Sequence, residues 1–161
     1  MTQLAMPASM GATIAETAQT AGAQIVETGG FLLGRVNTSD ATVLALTGDA
    51  GVTRRKDLFQ VSGLALSMLF EWADDHDLTV LAQWHSHRLD AFLSPTDLKY
   101  GLNVRGFQTT VIPYYQGPSS DPAAWGWWTF DGTNWIASAA PRLNVSGFET
   151  IVFEEGAVHE S

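Results

Sequence analysis

Gln83-Trp84-His85-Ser86-His87-Arg88-Leu89-Asp90-Ala91-Phe92-Leu93-Ser94-Pro95-Thr96-Asp97 ends one apolar run and opens a helix. Residues 78–84, rich in Val, Leu and Trp, read as a buried strand. An extended strand turns residues i and i+2 to one face, so His85 and His87 aim their imidazoles at a common point while Ser86 faces away. Ser94-Pro95-Thr96-Asp97 reads as a helix start, with Ser as N-cap, Pro at N1 and an acid at N3. Strand, short loop and helix start together fold Asp97 back beside the histidines. Two neutral imidazoles and one carboxylate leave a fourth position for water, the ligand pattern of a catalytic zinc site. Taken singly, His-x-His also arises as two half-buried polar residues at a strand end, and Ser-Pro-x-Asp as an ordinary helix cap. The weight lies in the combination and its order.

His85-Ser86-His87 followed by Ser94-Pro95-Thr96-Asp97 resembles the signature of the JAMM (MPN+) zinc metalloproteases, a His-Ser/Thr-His with a downstream Ser-x-x-Asp. The family completes it with an upstream Glu-x-x-Gly-x-Leu-x-Gly, and Glu27-Thr28-Gly29-Gly30-Phe31-Leu32-Leu33-Gly34 matches every fixed position. The resemblance runs in pattern from residue 27 to residue 130 and is specific at the two motifs. The chain departs from the family at Arg88, where Pro is usual, and in the six-residue loop 88–93, where seven is usual.

Composition narrows the classes. The chain has 161 residues, 45% hydrophobic and 11% aromatic, which suits one globular domain over 1–161 with loose ends at 1–8 and 155–161. A net charge of −9 argues against nucleic-acid and anionic-membrane partners, whose phosphates need clustered Lys and Arg. The absence of Cys excludes a thiol protease, a Cys-ligated zinc, a disulfide scaffold and a Cys-dependent deaminase. No apolar run reaches the roughly 18 residues of a membrane span, and no secretory signal opens the chain, so a cytoplasmic location is expected.

Along the chain, Ser9 caps a helix to about Ala21, with Gly22 as its stop. Strands are expected over 31–36 and 41–47, joined across 37–40, followed by a polar loop 48–57. That loop carries Arg54, Arg55 and Lys56, either solvated or meeting an acidic group of a partner. The three- and four-residue spacing of Leu58, Val61, Leu64, Ala65, Met68, Leu69 and Trp72 predicts the longest helix over 57–75, with Met68 and Trp72 in the core. His76 at its end and His159 in the tail are set aside as ligands. A helix over 95–104 stops at Arg105-Gly106, and a strand covers 107–113. Residues 114–124 form a loop that is either ordinary surface or a flap over a site. Strands at 125–130 and 135–139 pair around Asp131-Gly132, their Trp residues facing the core. A last strand lies at 148–153, before an acidic tail. The sum is an α+β domain, a mixed, curved β-sheet flanked by helices with the metal at strand ends; the resemblance implies the same layering.

The resemblance also implies a chemistry. His85, His87 and Asp97 hold one Zn²⁺ per chain, with water as fourth ligand. Glu27 takes the water's proton and hands it to the leaving nitrogen. Ser94 either hydrogen-bonds the developing oxyanion or only caps the helix. The bond cut is a peptide or isopeptide bond after the C-terminus of a ubiquitin-like protein, and the small size resembles bacterial members, which act beside ubiquitin-like activating and conjugating enzymes or on sulfur-carrier fusions. A non-catalytic MPN-type scaffold and a zinc hydrolase of a non-protein amide are the alternatives.

Overall fold

The computed structural model describes residues 3–160. Its elements run β1 (Ala5–Pro7), α1 (Ala8–Ala23), β2 (Gly29–Arg35), β3 (Val43–Thr47), β4 (Val52–Arg55), β5 (Leu58–Val61), α2 (Gly63–Asp75), β6 (Leu78–Ser86), α3 (Pro95–Tyr100), β7 (Gln108–Ile112), β8 (Gly126–Phe130), β9 (Trp135–Ala137), β10 (Arg142–Asn144), β11 (Glu149–Glu154) and β12 (Ala157–Glu160). Eight strands form one mixed sheet in the order β12-β11-β3-β2-β6-β7-β8-β9, parallel at β11/β3 and β6/β7 and antiparallel elsewhere. The architecture is the expected α+β one.

Strand alternation divides the core in two. Met10, Ile14 and Ala18 of α1 pack with Leu32, Leu44, Ala82, Trp84 and Ile112 on one face. Ala65, Leu69 and Trp72 of α2 pack with Phe31, Leu33, Val43 and Ala45 on the other. Because both faces are covered, β2 reads as a continuous buried run rather than an alternating one. Its glycines have a steric reason. A Cβ at Gly30 would collide with the Ala45 carbonyl of β3, and one at Gly34 with the Asp40 carbonyl. The motif glycines thus let neighbouring backbone close on β2.

Several expectations are corrected. Residues 3–7 are held in place: β1 pairs in parallel with β10, and Leu4, Ala5 and Met6 are buried; Met1 and Thr2 lie outside the described residues. Helix α1 begins at Ala8 with Pro7 as N-cap, not at Ser9, and continues past Gly22, which packs against the Tyr115 backbone. The predicted helix over 57–75 begins only at Gly63, capped by Ser62, whose Oγ accepts from the Ala65 N–H at 3.1 Å. Residues 58–61 are instead β5, which pairs with β4, so most of the supposed polar loop is a hairpin. Leu58 and Val61 happen to fall in helical phase with α2, and Phe59 is buried, as strand pairing allows. Helix α3 stops at Tyr100, because Gly101 turns extended. Residues 157–160 are not a loose tail but β12, paired with β11 through a turn at Gly156 (φ +84°); Ser161 lies outside the described residues. The loop 114–124 is no flap along most of its length. Ser120 and Pro122 contact Gly11 of α1, and Trp125 and Trp127 donate to the Ser119 and Pro122 carbonyls. Among the described residues no helix is long and apolar enough to cross a membrane.

The Gly30 contact yields a stability test. Gly30→Ala forces β2 and β3 apart and is expected to cost about 1–3 kcal/mol, the usual range for overpacking, read as a lowered urea midpoint with an unchanged slope.

Candidate metal centre

The pairing of β2 with β6 assembles the site. Gly29 lies opposite His85 in an antiparallel register. Continued by two residues, that register sets Glu27 opposite His87. Two bonds carry it on: Ser86 N–H donates to the Thr28 carbonyl at 2.8 Å, and Thr28 N–H donates to Ser86 Oγ at 2.9 Å. Ser86, between the histidines, therefore stitches the two segments together. On the other side, Glu27 N–H donates to the Arg55 carbonyl of β4 at 2.8 Å. Arg54 is committed internally, to Thr28 Oγ1 and to the Thr47 and Gly48 carbonyls, whereas Arg55 and Lys56 are exposed.

The loop 88–93, one residue short of the pattern it resembles, still delivers Asp97. Ser94 Oγ accepts from the Asp97 N–H at 3.1 Å, and Ser94 N–H donates to Asp97 Oδ2 at 2.9 Å, a reciprocal capping box. Asp97 Oδ2 then stands 3.2 Å from His85 Nε2 and 3.3 Å from His87 Nε2, and the two Nε2 atoms are 3.2 Å apart. The three donor atoms form a nearly equilateral triangle. Ligands bound to one ion at about 2.0–2.1 Å with tetrahedral angles lie about 3.3–3.4 Å apart. The edges match, so His85, His87 and Asp97 fit a metal ion, and they are the cluster with metal-holding geometry among the described residues.

The imidazoles are oriented for this. His87 Nδ1 lies 3.2 Å from the Asp90 carbonyl, to which it can only donate, leaving the lone pair of Nε2 to face the triangle. Phe92 meets the His87 ring edge-on at 4.8 Å. His85 Nδ1 is buried without a hydrogen-bond partner among the described residues, and its ring lies 5.0 Å from that of His87.

Two carboxyls in the site are driven apart. Burial opposes ionisation of Asp97, but the hydrogen bonds of His85 and His87 outweigh it and hold the carboxyl far below its usual range. Glu27, only 5% exposed, is pushed up to about 8, chiefly by burial, with His87 pulling it down and Asp97 and Asp57 adding to the rise. For His87 burial favours the neutral ring, yet Asp97, Glu27 and the Asp90 carbonyl together raise it above its ordinary value. His76 is turned to the Trp72 carbonyl and His159 to Glu154, both away from the centre.

A cavity of about 190 Å³ opens beside His85 and Asp97 on the α2 face. Apolar Phe31, Phe59, Val61 and Leu66 line it with polar Gln83 and Thr109, and Trp135 of β9 borders it. Trp135, expected in the core, is thus part of the cleft wall. Gln83 had a legible signal, since it shares the His85 face two residues back. Phe59 and Trp135 had none, because their approach depends on the β4–β5 hairpin and on the sheet edge.

No family model matches the chain, and none of the curated proteins does. Among solved structures it is similar to a protein of Desulfitobacterium hafniense solved in solution (14% identity, TM-score 0.62, 94% of each chain). It is also similar to a JAB1/MPN domain protein of Archaeoglobus fulgidus (18% identity, TM-score 0.53, 88% of this chain and 100% of that one). At these identities the likeness defines the fold, which is MPN-like.

The Glu27 shift has a measurable sign. The unfolded carboxyl releases its proton near 4.5 and the folded one near 8, so the folded state holds the extra proton between those values. The contribution of Glu27 to stability is fully present below about pH 4.5 and is lost as pH rises towards about pH 8, by on the order of a few kcal/mol, while that of Asp97 runs the other way and is lost only in acid. Urea titrations of the chelator-treated protein at several pH values test this, and Glu27→Gln should lose most of that slope.

Proposed function

We propose that the chain is a JAMM-type zinc hydrolase that cleaves the peptide or isopeptide bond following the C-terminus of a ubiquitin-like protein. The observation that carries this reading is the donor triangle of His85, His87 and Asp97, with buried Glu27 in register beside it. Zn²⁺ is the ion that two imidazoles and one carboxylate suit best; when bound it supplies Lewis acidity to a water and to the scissile carbonyl.

The chain's own groups do the rest. Glu27 accepts a proton from the attacking water at its carboxylate and returns it to the leaving nitrogen. A carboxyl whose proton affinity is raised towards neutral pH suits both halves of that transfer. A cation at the triangle favours the ionised form with which the cycle starts. Ser94 accepts from the Asp97 N–H, which leaves its hydroxyl proton to donate towards the oxyanion. Substrate binding is assigned to the cavity. Strand β5, whose Phe59, Gln60 and Val61 line it, pairs with β4 on one edge only among the described residues. An extended C-terminal tail can add to the other edge. Conjugates of a bacterial ubiquitin-like protein, with its activating and conjugating enzymes as functional neighbours, are the proposed context.

Elemental analysis of the purified protein, followed by cleavage assays on ubiquitin-like fusions, tests the reading. About one zinc per chain is expected, abolished or strongly reduced in His87→Ala and Asp97→Ala. Glu27→Gln should keep the zinc and lose roughly 10²–10⁴-fold in turnover, the range for removal of a general base. A wild-type chain that takes up no supplied zinc would sink the proposal in favour of a scaffold. Zinc uptake with cleavage of small amides alone would move the substrate class.

A further inference from the structure

The tether that fixes His87 is the Asp90 carbonyl, and its quality depends on where Asp90 sits. Asp90 belongs to the irregular loop 88–93. On one side that loop is weakly held, by the exposed Arg88–Asp57 pair at 3.8 Å. On the other side a single residue, Tyr114, grips it twice. Its N–H donates to the Leu89 carbonyl at 2.9 Å, and its hydroxyl donates to Asp90 Oδ1 at 2.6 Å. The next residue, Tyr115, is fully buried, and its N–H donates to the His87 carbonyl at 3.0 Å, so residues 114–115 run alongside the end of β6.

Tyr114 has two properties that packing does not explain. It is half exposed, and it holds a φ of +60°, a left-handed conformation that a bulky side chain rarely adopts. A disfavoured backbone state persists where its surroundings over-determine it, and such states cluster at functional sites. Here that conformation accompanies both the amide and the phenol contacts to the loop. The carboxylate partner keeps the phenol protonated, and so a donor.

We infer that Tyr114 is a positioning residue for His87: its hydroxyl fixes Asp90, and Asp90 fixes the imidazole whose Nε2 completes the metal triangle. The inference rests on the metal-site reading above and is independent of the substrate assigned there. It gives the shortened, proline-free loop a second anchor drawn from the turn after β7.

The test is zinc affinity, measured by competition with a chromophoric chelator, beside amide exchange of residues 88–91 in the metal-free protein. Tyr114→Phe removes one hydroxyl from a half-exposed side chain and leaves the backbone bond. It is expected to weaken zinc binding roughly tenfold, the lower end of the cost of losing a partner to a ligating histidine, and to speed exchange in the loop alone. Asp90→Ala should match it. Asp90→Asn, whose amide oxygen still accepts from the phenol, should stay near wild type. Wild-type affinity in both Tyr114→Phe and Asp90→Ala overturns the inference and leaves the metal site standing. A wild-type chain that binds no zinc overturns both.

Discussion

The antiparallel pairing of β2 with β6 is the constraint on which the site depends. It is the central pairing of the sheet, with α1 pressed on one face and α2 on the other. Gly29 opposite His85 leaves Glu27 opposite His87, and the bonds between Thr28 and Ser86 extend the ladder past the start of β2. A slip of one residue would turn every side chain to the other face. The glycines of β2 matter because they admit the backbone of neighbouring segments, not because they leave room for a ligand.

That pairing also creates an electrostatic asymmetry. Asp97 enters from a helix start and meets two imidazoles, so its charge is stabilised. Glu27 arrives from the strand side, buried, and its charge is opposed. Environments that push two carboxyls apart leave one a lasting anion and let the other exchange its proton near neutral pH. The capping box contributes to the first half. By fixing Asp97 against the Ser94 backbone, it lets one oxygen address both histidines at nearly equal distance.

How far this was legible varies by residue. The convergence of His85 and His87 follows from the two-residue repeat of a strand. Ser94 and Asp97 follow from the local chemistry of a helix start. These are short-range rules, and the shortened loop did not disturb them. Glu27 was legible only through the spacing of its motif, since a lone glutamate carries no signal of its own. The failures are equally specific. Leu58 and Val61 share the helical phase of α2, so periodicity merged β5 into the helix; Ser62 marked the true boundary. Strands β1 and β12 are short, with a partner distant in sequence or across a tight turn, and were read as loose ends; β10, the partner of β1, drew no reading at all.

The sequence by itself determined the chemistry at hand: which donors the chain possesses, the absence of thiols, and the local geometry that aims two imidazoles and a carboxylate. Such features depend on residues within a strand or a single helical turn, where backbone stereochemistry is decisive. Only the tertiary structure decided the distances that make three donors an ion-sized triangle, the burial that raises Glu27, and the cleft framed by Phe59 and Trp135. It alone decided that Tyr114 would grip the loop beside His87. Those properties arise from segments far apart in the chain, brought together by register and layer packing, and nothing local to either partner encodes them.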